Sequence, residues 1–126
     1  MTQGFSVLKV QKLPGPGSLW QLTHGLAYQN HRGLVLVVPA GFISDGNSSF
    51  IKHSASEAAG WLHDWLYRNH ANLGQTWSRA WADSIFHEAL LVEGVPPVYA
   101  RAQWLVVRAL GWRHWRRTPV NLPKES

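Results

Sequence analysis

The hydrophobic period of this chain changes near its middle. Up to Val38 the apolar residues alternate with polar ones or gather in short β-branched runs; from Ser54 onward they recur every three or four residues. Alternation suits a half-buried strand and the longer period suits an amphipathic helix, so the two halves must build different structure. In the first half, "FSVLKV" at Phe5 to Val10 alternates, "LPGPGS" forms a turn, and "LWQL" and "LAYQNHRG" follow. Leu34 to Val38 is a β-branched-rich run stopped by Pro39, and His31-Arg32-Gly33 before it suits a hairpin turn. These segments predict a small antiparallel sheet.

In the second half, Ser54 and Glu57 have the spacing of a capping box, ahead of a helix running from about Ala55 to about His70. "NLGQT" breaks it. A second helix starts near Trp77 or Ser78 and ends at Gly94, a suitable C-cap glycine. Pro96-Pro97 then opens a third helix, "VYARAQWLVVRALGW". The fold class that follows is α+β, a small sheet and then three helices, the first two an antiparallel hairpin. At 126 residues the chain suits one domain, placed at 1–118, with 119–126 as a flexible tail.

Charge is sparse within this pattern. Charged residues make up 15% of the chain, and only Asp45, Asp64 and Asp83 are aspartates. Asp64 stands beside His63 between two tryptophans in "GWLHDWLYR". Gly60, His63, Asp64 and Tyr67 share one helical stripe, and Arg79, Asp83, His87 and Leu90 share another. His63 lies roughly 10 Å from the end of its helix and Asp83 roughly 9 Å from the start of the next. Folding the two helices back on each other sets the side chains at one height, which predicts a His63–Asp83 hydrogen bond with Asp64 beside it. A carboxylate on one imidazole nitrogen raises basicity at the other, which can then take a proton from water. The plainer reading is a buried pair that only locks two helices together.

Asp45 lies in "VPAGFISDGNSSF", which leads into the first helix. With Gly41 and Gly46 it can supply oxygen ligands, or it can simply form an Asx turn. Asp64 and Asp45 are therefore the candidate ligands of a divalent metal, Ca²⁺ before Zn²⁺. His63 and Asp83 are the candidate catalytic residues, with Tyr67 and His87 in support. Trp61, Trp65, Trp77 and Trp81 are assigned to the core. His24, His31 and His114 give no constellation.

Cysteine is absent, so no disulfide frame and no thiolate metal site exists. The first residues show no signal-peptide pattern, and the apolar runs fall well short of the roughly 18 residues of a membrane span. The net charge of +5 is concentrated late, in "GWRHWRRTPVNLPKES". Cations favour a helix C-terminus. A nucleic-acid role for this basic tail ranks last, because no nucleic-acid motif accompanies it.

Several stretches together resemble an uncharacterised family of small proteins of tailed phages and prophages. They are Trp20, "LAYQ" at Leu26 to Gln29, "VPAGFISDGNSS" at Val38 to Ser49, "HDWLYR" at His63 to Arg68, "RAWADSIFHEAL" at Arg79 to Leu90 and "VVRALG" at Val106 to Gly111. The chain departs from that pattern at Asn47 and at Ser49-Phe50. The resemblance implies a phage or prophage origin, a place in the bacterial host cytoplasm or the virion, and phage structural or assembly proteins as partners. It implies no reaction.

A second, local resemblance covers about a quarter of the chain. "HDWLYRN" followed by "ADSIFHEAL" looks like the catalytic helix pair of small bacterial and fungal phospholipases of the A-two type. That resemblance implies that His63 activates water, Asp64 binds calcium and Asp83 orients the histidine. A lipid or cell-envelope ester would then be the substrate. The glycine-rich calcium loop and the disulfides of those enzymes are missing. The order His53, His63-Asp64, Asp83 is also that of metal-dependent His-Asp phosphohydrolases, at shorter separations. The competing expectation is a non-catalytic phage tail or assembly protein with a structural His-Asp cluster.

Overall fold

The computed structural model describes residues 4–15, 19–44, 57–69, 77–112 and 115. The architecture is α+β, with strands β1 (Gly4–Phe5), β2 (Val10–Lys12), β3 (Trp20–Leu22), β4 (Leu26–Gln29), β5 (Val35–Val38) and β6 (Ile43–Ser44). Helices α1 (Glu57–Arg68), α2 (Arg79–Val92) and α3 (Pro97–Leu110) follow. The strands form two three-stranded antiparallel sheets, ordered β1-β4-β5 and β2-β3-β6, where the sequence predicted one. The alternating run Phe5 to Val10 is accordingly split. Ser6 still bonds to Ala27 beside the first sheet, while the Lys9 carbonyl already accepts from Thr23 beside the second. The chain changes sheets in between.

The β4–β5 hairpin turns where the sequence placed it. The Asn30 side-chain oxygen accepts from the Arg32 and Leu34 amides, and Gly33 takes a positive φ of 84°. This is an Asx turn closed by the residue that tolerates the left-handed region. Its register pairs Leu26 with Val38 and Tyr28 with Leu36, so one face of the hairpin turns inward. Leu26, Tyr28 and Val38 are buried there and α1 packs on them.

Helix α1 is the central layer. It buries Ala58, Ala59, Trp61, Leu62, Trp65, Leu66 and Tyr67, a stripe wide enough to meet the sheet on one side and α2 on the other. Removing a fully buried side chain such as Leu66 to alanine costs about 2–5 kcal/mol. Ser54, the expected capping residue, lies outside the described residues. The first turn of α1 has a distant cap instead: the Ala59 amide donates to Glu93 Oε1 at 2.8 Å.

Helix α2 starts at an N-cap serine, Ser78, whose hydroxyl accepts from the Trp81 amide at 3.0 Å. It ends at Gly94, φ 96°, where the Gly94 and Val95 amides return to the Leu91 and Leu90 carbonyls. That double closure is a Schellman motif, with Val95 buried behind it. Helix α3 opens with proline at its first turn and packs against α2. No helix among the described residues is long and apolar enough to cross a membrane.

Candidate active site

Helices α1 and α2 meet as the residue spacing predicted. His63 Nε2 lies 2.9 Å from Asp83 Oδ1. Tyr67, one turn on, donates its hydroxyl to the same oxygen at 2.6 Å. Asp83 is fully buried, and its other oxygen is filled from α3: Arg108 Nη1 donates to Oδ2 at 2.8 Å. Arg79 Nη1 stands 3.6 Å from the same oxygen while donating to the Val107 carbonyl at 2.9 Å. Arg79 Nη2 reaches the Arg108 carbonyl at 3.1 Å, so this side chain also caps the end of α3.

Burial alone would raise the Asp83 carboxyl. Hydrogen bonds from His63, Tyr67 and Arg108, with the charge of His63, outweigh it and hold the group below its ordinary range. The Tyr67 hydroxyl moves the other way. Burial raises it first and its bond to the Asp83 carboxylate adds to the rise, with Arg79 opposing. Tyr67 therefore stays a donor. An ionised carboxylate can only accept, so His63 Nε2 carries a proton and Nδ1 is the basic nitrogen.

The imidazole is held by two tilted ring contacts as well as by its hydrogen bond. Its ring centre lies 4.3 Å from that of Tyr67 and 4.4 Å from that of Phe86. The His63 side chain nonetheless keeps 14% exposure, against none for Asp83. Gly60 lies one turn before it, and a Cβ added there would find no atom of the described residues within 4 Å. Among the described residues, open space thus adjoins the histidine on its own helix. Gly111 shows the reverse. A Cβ there would fall 2.6 Å from the Tyr67 hydroxyl and 3.2 Å from Arg79 Nη1. Its φ of −65° suits any residue, so glycine stands there for space.

The remaining predicted residues part company. Asp64 turns to Arg68, 3.3 Å away, and Arg68 in turn donates to the Ile43 carbonyl at 3.2 Å and lies over the Phe42 ring. This places Asp64 beside the strand that leads to Asp45. Asp45 and Gly46 lie outside the described residues. Gly41 is a turn residue, φ 93°, whose amide donates to the Leu22 carbonyl. His87 lies against Trp104, ring centres 6.0 Å apart. Burial, then the charge of Arg101, lowers its pKa.

Three groups had no sequence-based role. Arg108 looked like a solvated cation, and only its place on the inner side of α3 marks it. Glu93 is pushed up to about 7, by burial first and the charge of Glu57 besides, against the Ala58 and Ala59 amides that lower it. His31 does join a constellation: its Nδ1 meets Glu88 Oε2, and Tyr28 donates to Glu88 Oε1 at 2.6 Å. Both histidine–carboxylate–tyrosine sets share α2, but His31 is mostly exposed.

A family model described as a protein of unknown function, DUF1353, matches residues 20–107. The chain belongs to this family. The DUF1353 stretch contains His63, Asp64, Tyr67, Arg79 and Asp83 and ends one residue before Arg108. No curated protein and no solved structure matches the chain.

Proposed function

We propose that this DUF1353 protein is a hydrolase in which His63, oriented by Asp83, activates water against an ester. The observation that carries this reading is the His63 Nε2–Asp83 Oδ1 bond at 2.9 Å on an imidazole that still reaches solvent. The buried carboxylate fixes the tautomer and stabilises the imidazolium as it forms. Water loses a proton to Nδ1 as its oxygen bonds the acyl carbon. The ester C–O bond then breaks, and the proton returns from His63 to the leaving alkoxide. Tyr67 and Arg108 position Asp83 and do not meet the substrate.

A divalent cation, Ca²⁺ before Zn²⁺, belongs to this proposal as a stabiliser of the developing oxyanion. Among the described residues no group of three His, Asp or Glu side chains gathers as a ligand set. Asp83 does not fit as a ligand, since both its oxygens are occupied in a sealed site. Asp64 fits only if Arg68 swings away, and Asp45 would join it from outside the described residues. A phage or prophage origin, with a lipid or cell-envelope ester as substrate, completes the proposal.

The second reading is a non-catalytic phage tail or assembly component. It is favoured by the complete satisfaction of Asp83, which is how a structural carboxylate looks. Turnover of short-chain nitrophenyl esters and of phospholipid vesicles, with and without Ca²⁺, separates the two. The hydrolase reading expects turnover that His63→Ala abolishes while circular dichroism shows the fold retained. Absence of turnover in the wild type, or turnover that survives His63→Ala, leaves the structural reading in place.

A further inference from the structure

Helix α3 has two apolar faces, and among the described residues the fold buries one. Ala100, Gln103 and Val107 are buried against the rest of the protein. On the opposite side Val98, Ala102, Leu105, Ala109 and Trp112 recur at alternating steps of four and three, a single stripe about four turns in length. Val98 is 72% exposed and Leu105 50%, and Tyr99, Leu110 and Trp112 are exposed around them. A helix apolar on all sides belongs inside something. Here half of it faces outward.

The charges around this stripe say what covers it. Arg101 follows Val98 by three residues and stands exposed on one border, while Arg108, three after Leu105, is turned inward to Asp83. From Gly94 to Lys124 the sequence has no aspartate or glutamate, and Arg113, Arg116 and Arg117 come directly after Trp112. We infer that the outer face of α3 lies on an anionic lipid bilayer. The stripe would enter the acyl boundary, Arg101 would meet lipid phosphate, and the basic sequence after Trp112 would add to the attraction. A second copy of the chain fits less well, because it would set this acid-free helix against itself, arginine near arginine. Nucleic acid would leave the apolar stripe in water. The inference does not depend on whether His63 is catalytic.

Sedimentation with vesicles of phosphatidylglycerol and phosphatidylcholine, against phosphatidylcholine alone, tests it. The full chain is expected to sediment with the anionic vesicles, to stay in solution with the neutral ones, and to be released by salt. Val98→Glu with Leu105→Glu should weaken partitioning at least about tenfold. Both sites are exposed, so thermal unfolding should be unchanged. Failure to bind anionic vesicles overturns the inference, as does undiminished binding by the double variant. A wild-type dimer in analytical ultracentrifugation that the double variant splits would give the face to a second copy instead.

Discussion

Asp83 collects hydrogen-bond donors from α1 and α3 and an ion pair from its own helix, and that arrangement sets the cost of disturbing it. Replacing it with alanine leaves Arg79 and Arg108 facing each other without a counter-charge, and should cost about 3–5 kcal/mol in urea denaturation. Tyr67→Phe removes one donor to a carboxylate that keeps the others, and should cost about 1.5–3 kcal/mol. Because the folded carboxyl titrates below its ordinary value of 3.8, its contribution is complete above that pH. It disappears as pH falls through the depressed folded value. The His63–Asp83 contact was legible in the sequence because helical rise alone fixes the heights of both residues. Arg108 was not, since an arginine near a helix end reads the same whether it points to water or to a buried carboxylate.

The helices also differ in how tightly they meet, and two glycines measure this. At Gly60 an added methyl group enters open space, so Gly60→Ala should stabilise α1 by up to about 1 kcal/mol through helix propensity alone. At Gly111 the same methyl group meets the Tyr67 hydroxyl at 2.6 Å and the Val107 carbonyl at 2.5 Å. Gly111→Ala should destabilise by about 1–3 kcal/mol, as overpacking does. Equal effects at the two sites in thermal unfolding would contradict the packing described. The three helices were legible from their period, their breakers and the glycine after Glu93. The division of the strands was not, because a short alternating run carries no local mark of where a chain leaves one sheet for another.

Over the whole molecule, pH should act through Glu93. Its carboxyl rises from 4.5 to about 7 on folding, so the folded state takes up a proton between those values. The stability this brings is present below about 4.5 and is lost as pH climbs through 7. Urea midpoints should therefore fall from pH 5 to pH 8, and Glu93→Gln, which keeps an acceptor for the Ala59 amide, should flatten that fall. No sequence rule would have found this cap, which joins residues 34 apart through tertiary packing. Among the described residues the same contact is one of three rungs between α1 and α2 with its flanking residues. Glu93 holds Ala59 at one end, Asp83 holds His63 and Tyr67 midway, and the Trp77 indole donates to the Leu66 carbonyl at 3.0 Å near the other. Alignment of the pair is thus set by cross-bracing and owes little to the length of the connection from Asn69 to Trp77. Doubling that connection should cost only about 0.6 kcal/mol, which makes it the natural place to graft a reporter peptide without disturbing the histidine.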